Sequence, residues 1–173
     1  TPENTGGKKV FGYFDANDNK QLDYLSTRQP ENNEPRLEDL ALRALELLSR
    51  KENGFFLMVE GGAIDWACHD NNAQNALDEM DEFDRAIAAT VEFLKARGEL
   101  ENTLIVVTAD HETGGLALRG SEDDPSGAAD YGWLSKGHSG IPVPVWAQGP
   151  RSAAFSGKQD NTHIARALAA AMK

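Results

Sequence analysis

Three short clusters bring together residue types that bind metal ions. Glu60-Gly61-Gly62-Ala63-Ile64-Asp65-Trp66-Ala67-Cys68-His69-Asp70 follows one apolar run, and Ala109-Asp110-His111-Glu112-Thr113-Gly114-Gly115 follows a second. Gly137-His138-Ser139-Gly140 precedes a third. Asp65 and His69 stand four apart, so on one helical turn their side chains point the same way. A carboxylate and an imidazole so placed are half of a tetrahedral zinc site, with ligand distances near ~2.0–2.2 Å. Asp110 and His111 are adjacent and would face opposite sides of an extended strand. They reach one ion only where the strand breaks, which the following Thr113-Gly114-Gly115 permits. Glu60, at a strand end, is a hard oxygen ligand suited to Mg2+. Each pair alone is more often an exposed helix face or a capped turn than a metal site. Three of the four histidines and three carboxylates nevertheless fall beside Gly-rich turns flanking apolar strands, and that coincidence favours a shared ion-binding pocket.

Strands and helices must carry these clusters. The spacing predicts a short strand over 9–14, a polar loop from Asp15 to Glu34, and a helix starting near Pro35. That helix lines up Leu37, Leu40, Ala41, Ala44, Leu45 and Leu48 on one stripe. Phe55 to Val59 is a continuous apolar run, the pattern of a strand covered on both faces. A long helix is expected from about Ala73 to Arg97, with Leu77, Met80, Phe83, Ile87, Val91 and Leu94 inward. Thr103–Thr108 reads as a strand, residues 116–136 as a loop or small excursion, and Pro142–Ala147 as an edge or kinked strand. A last helix from about Asn161 is expected to bury Ile164, Leu168 and Met172. Strand–helix alternation with doubly buried strands argues an α/β fold with parallel pairs. In such folds ligands collect outside the carboxyl ends of the strands, where two of the clusters lie.

Length and composition narrow the function. The 173 residues suffice for one domain over 1–173, with 40% hydrophobic and 26% charged residues. Seventeen Lys and Arg against twenty-eight Asp and Glu give a net charge of −11, which excludes nucleic acid or anionic membrane binding by bulk charge. An anionic substrate would need positive charge from outside the sequence. The single cysteine precludes an internal disulfide, and no apolar stretch nears the ~18 residues of a membrane span. The chain opens on Thr1 with no signal-peptide pattern, so an upstream portion is expected.

The runs Gly-Phe-Phe-Leu-Met-Val-Glu-Gly-Gly-Ala-Ile-Asp (54–65), Thr-Ala-Asp-His-Glu-Thr-Gly-Gly (108–115) and Gly-His-Ser-Gly-Ile-Pro-Val-Pro-Val-Trp-Ala-Gln-Gly-Pro (137–150) closely resemble alkaline phosphatase. The resemblance runs from about Leu37 to Pro150 in the family's order. It implies a partial three-layer α/β/α sandwich with a mostly parallel sheet, the carboxy-terminal part of a catalytic domain. It also implies a phosphomonoester hydrolase with two Zn2+ and one Mg2+, working through a phosphoserine. Asp65, His69 and His138 then resemble the first zinc's ligands, Asp110 and His111 those of the second, and Glu60 a magnesium ligand. Three such ions add six positive charges and would bring −11 to about −5, which removes the difficulty of an anionic substrate. The twenty-six residues between His111 and His138 resemble the compact bacterial kind, without a large crown insertion. Export to the periplasm or medium and a homodimeric whole enzyme are further implications.

The family's nucleophile is the serine of an Asp-Ser pair, and this sequence has no such dipeptide. Its phosphate-binding arginine and first-strand aspartate are also unmatched. The 173 residues are therefore expected to be inactive alone, to hold the first zinc best, and to self-associate through an uncovered sheet edge. Ser139 is a poor substitute nucleophile, because it and His138 diverge on an extended segment. Cys68 reads as a small buried residue, Trp66 as packing or a neighbour of the metals, and His163 as a surface or capping residue. Asp15-Ala16-Asn17-Asp18-Asn19-Lys20 imitates a calcium loop, but Lys20 replaces the required Gly and Ser26 the bidentate Glu. Two alternatives stand beside the phosphatase. One is a two-zinc phosphodiesterase or nucleotide pyrophosphatase, against which Glu60 argues. The other is a non-catalytic metal-binding module.

Overall fold

The computed structural model describes residues 9–12, 14, 24, 34–119 and 130–172. The calcium-loop imitation and most of the 15–34 loop lie outside them. Residues 9–12 and 14 form no strand, and Phe11 is almost fully exposed.

Helix α1 spans Leu37–Leu48 and α3 spans Ala73–Ala96; the short α2, Ala63–His69, lies between them in sequence. The carboxylate of Glu82, buried on α3, accepts the Leu37 N–H at 2.8 Å and so closes the start of α1 from another helix. Asn72 caps α3 by accepting the Asn75 N–H. Ala41 and Leu45 of α1, Ala67 of α2, and Ala76, Ala86 and Leu94 of α3 are buried, and both shorter helices pack on α3. The inward face of α3 is thus rotated from the expected one: Leu77 and Met80 are exposed. Small alanines let the helix backbones approach closely, whereas Leu77 and Met80 remain on a face that nothing among the described residues covers.

Strand β1, Ile105–Thr108, pairs antiparallel with β6, Val145–Gln148, with Val106 opposite Ala147. Pro142 and Pro144 lack the N–H a ladder needs, so β6 starts only after them. Between these strands, β2 (Glu112–Thr113) pairs with β5 (His138–Ser139), and β3 (Ala117–Arg119) with β4 (Asp130–Gly132). The 116–136 stretch, expected as a loop or small excursion, thus carries the β3–β4 strand pair among its described residues. A mostly parallel sheet is not what the described residues form: all three ladders are antiparallel and two-stranded. The parallel reading rested on Phe55–Val59 as a doubly covered strand. This segment alternates in burial as a strand does, yet has no ladder, and Phe56 and Met58 are exposed. Its apolar run specifies a partner that the described residues do not supply.

Helix α4, Thr162–Ala171, packs on the 3-10 turn Ser152–Phe155. Ile164 and Leu168 are half-buried, but Met172, at the frayed end, is exposed, contrary to the sequence pattern.

Candidate metal centre

Helix α2 carries Asp65 and His69 one turn apart, and the β2–β5 ladder brings His138 opposite Thr113. The ligand atoms of Asp65, His69 and His138 lie within 4.8 Å of one another. His69 Nε2 is 3.0 Å from His138 Nε2 and 3.4 Å from Asp65 Oδ2, and His138 Nε2 is 3.5 Å from Asp65 Oδ1. Residues 69 apart in sequence thus converge on one point.

Strand β1 ends at Thr108, as the Asp110-His111 pair requires, and β2 begins only at Glu112. His111 Nε2 lies 3.2 Å from Asp110 Oδ2, and its Nδ1 lies 4.0 Å from Asp65 Oδ1. The His111 ring stacks on that of His138 at 3.5 Å between centroids. Five of the six candidate ligands are therefore contiguous. Glu60 is not among those contacts. It lines a cavity of about 120 Å3 with Trp66, Leu37, Glu79 and Glu82. Trp66, expected as packing or a neighbour of the metals, lines that cavity with Glu60.

Hydrogen bonds fix which atoms face the pocket. The Lys136 carbonyl can only accept, so His69 donates its Nδ1–H to it at 2.6 Å. The neutral ring then presents its Nε2 lone pair to the other ligand atoms, the usual outer support of a metal-bound imidazole. A short segment, 134–137, carries that carbonyl and is tied to the end of β2. Gly114 donates its N–H to Gly137 O, and its carbonyl accepts from Leu134 and Ser135. Gly114 has φ +85°, and a Cβ there would sit 2.6 Å from Trp133 and 2.9 Å from the Cys68 carbonyl. Only glycine fits.

Glu112 locks the ladder from its other face: one carboxylate oxygen accepts from Gly115 N–H at 2.6 Å and the other from Ser139 Oγ–H. The Ser139 hydroxyl is therefore committed to structure. Burial, then the carboxylates of Asp65 and Glu112, push the Cys68 thiol above its ordinary value, and Cys68 stays outside the metal-competent group. His163 bonds the Ala154 carbonyl at 2.8 Å, joining α4 to the preceding turn.

Sequence reading missed Thr113. This buried threonine donates to Asp65 Oδ1 at 2.6 Å and lies 3.2 Å from His111 Nδ1. Its one available signal was position, two residues from His111 and hence on the same side of an extended segment.

The donor set fits a cation. Imidazoles and carboxylates converge, with no lysine or arginine side chain among them in the described residues, the nitrogen and oxygen set that zinc takes. The class this defines is an α/β fold carrying a cluster that could hold a metal ion, and comparison with known proteins gives the family. The alkaline phosphatase family model matches residues 2–125 and 121–173, and the chain belongs to that family. Alkaline phosphatase 3 of Bacillus subtilis is 29% identical over 201 residues, covering 76% of this chain and 43% of its own. Alkaline phosphatase of Escherichia coli is 34% identical over 163 residues, covering 84% of this chain and 34% of its own. A mutant of the TAB5 alkaline phosphatase, solved with Mg bound in the M3 site, superposes with a TM-score of 0.70 at 34% identity. It covers 82% of this chain and 43% of that one. The fold is thus that of the alkaline phosphatase superfamily, whose members depend on metals. The chain spans less than half the length of these curated relatives.

Proposed function

We propose that residues 1–173 are the carboxy-terminal, metal-holding portion of an alkaline phosphatase catalytic domain, a phosphomonoester hydrolase working through a phosphoserine. The observation that carries this is the convergence of Asp65, His69 and His138 on one point, with His111 and Asp110 alongside. Asp65, His69 and His138 would hold a first zinc, Asp110 and His111 would contribute to a second, and Glu60 would contribute to magnesium. Bound zinc supplies the positive charge that clamps a phosphate and polarises its oxygens. This chain's part is positional. Lys136 orients His69, Glu112 and Ser139 hold the β5 register, and the end of β1 at Thr108 frees His111 to turn inward, where the exposed Asp110 reaches its Nε2.

The nucleophilic serine, the phosphate-binding arginine and a further aspartate are assigned to sequence outside these residues. Export to the periplasm or medium and homodimerisation belong to the same proposal and rest on the resemblance alone. Among the described residues no helix is long and apolar enough to cross a membrane.

Calorimetric titration with Zn2+, together with a phosphomonoester assay on the purified chain, tests the reading. One tight zinc site and no turnover are expected. Absence of zinc binding overturns the metal assignment, and zinc-dependent hydrolysis overturns the division of labour.

A further inference from the structure

From its two side-chain contacts we infer that Thr113 is a positioning residue joining the two candidate zinc subsites, setting the tautomer of His111 while orienting Asp65. The inference rests on the metal reading above for its role and on hydrogen-bond direction for its geometry. Asp65 is a carboxylate and can only accept, so the 2.6 Å contact is a Thr113 O–H donated to Asp65 Oδ1. That uses the hydroxyl's one proton. Facing His111 Nδ1 at 3.2 Å, the Thr113 oxygen has only lone pairs left, so the imidazole donates its Nδ1–H to it. With Nδ1 committed to Thr113, Nε2 is the ring atom left to face the Asp110 carboxylate, 3.2 Å away, and the one through which the ring can meet a cation. Thr113 thus acts on both subsites through one oxygen. It fixes a carboxylate of the Asp65–His69–His138 set and makes His111 a nitrogen donor in the neighbouring set.

Burial gives the bridge its weight. Thr113 is 9% exposed, so water does not readily replace its hydroxyl, and Asp65 and His111 would each lose a partner with it. The backbone holds the threonine independently of any ion, because Thr113 pairs with His138 across the β2–β5 ladder. The same residue that directs Asp65 and His111 therefore also places His138.

The test uses the full chain with Zn2+ and Co2+ as probes, comparing wild type, Thr113→Val and Thr113→Ser. Loss of the hydroxyl in the valine variant should weaken zinc binding by about 10–100-fold, the usual cost of removing a ligand's outer partner. It should also alter the visible spectrum of bound Co2+, while serine restores both affinity and spectrum. Equal zinc affinity in wild type and the valine variant overturns the inference. So does a serine variant that behaves like valine, since the methyl and not the hydroxyl would then matter. Nitrogen NMR of the histidine rings in the metal-free wild type needs no variant to fold. A His111 proton on Nδ1 is expected, and a proton on Nε2 alone overturns the bridge. A wild type that binds no zinc but shows the Nδ1 tautomer defeats the metal reading and leaves the hydrogen-bonded bridge in place.

Discussion

Among single residues, His138 has the least support. Its ring meets His69, Asp65 and His111, but it enters on a two-residue strand. Replacing His138 by alanine removes one of three protein ligands from the first candidate zinc site. Zinc affinity should fall by more than the ~10–100-fold that an outer-partner loss costs, as read by calorimetric titration, with helical content unchanged in circular dichroism. Tyr24 offers a test away from the metals. Burial first, then Asp70, to which its hydroxyl donates at 3.3 Å, raise its phenol to about 12. The folded state holds this proton more tightly than the unfolded chain, so the associated stability is present below pH ~10 and lost as pH rises toward ~12. Absorbance titration of the wild type against Tyr24→Phe should show one late-ionising phenol missing from the variant. The metal-competent side chains were legible in the sequence because the chain has only four histidines, and three of them fall in clusters with aspartates beside Gly-rich turns. Thr113 and the Lys136 carbonyl were not, since a hydroxyl and a backbone oxygen take on their roles only through tertiary placement.

Elements show where periodicity suffices and where it fails. Helices α1 and α3 and strands β1 and β6 follow from spacing within a few residues, because an apolar stripe and an apolar run each need a cover. Periodicity did not fix which stripe of α3 turns inward, since alanine at 76 and 86 permits close helix approach as readily as leucine fills a gap. Nor did it reveal that Phe55–Val59 stands without a ladder, because pairing belongs to two segments and a pattern to one. Gly114 gives the sharpest prediction at this scale. Gly114→Ala puts a Cβ against Trp133 and the Cys68 carbonyl at positive φ. Destabilisation of about 1–3 kcal/mol is expected in chemical denaturation. Zinc affinity should drop too, because the segment bearing Lys136 is hung on Gly114. The core is a second case. Leu45→Ala, at a position 2% exposed where α1 meets α3, should cost about 2–5 kcal/mol without altering zinc affinity.

For the whole molecule, helices and ladders are unequal partners. The helical part has a buried core, whereas Phe56, Met58, Leu77, Leu118 and Trp146 leave apolar surface uncovered. Concentration-dependent self-association in light scattering is the expected result, and a monodisperse monomer at high concentration contradicts it. Zinc at about 100 times its dissociation constant should raise folding stability by about 2.7 kcal/mol, an increase that EDTA reverses. Only two ladder rungs, Glu112–Ser139 and Thr113–His138, pair β5 with β2, with the Glu112–Ser139 side-chain bond and the Gly114–Gly137 backbone bond beside them. A clasp so short opens without the rest of the protein coming apart, and an ion gripped on both sides of it would act as the rivet. Deuterium uptake at residues 112–113 and 138–139 should therefore slow on adding zinc, while the middle of α3 keeps the same pace throughout.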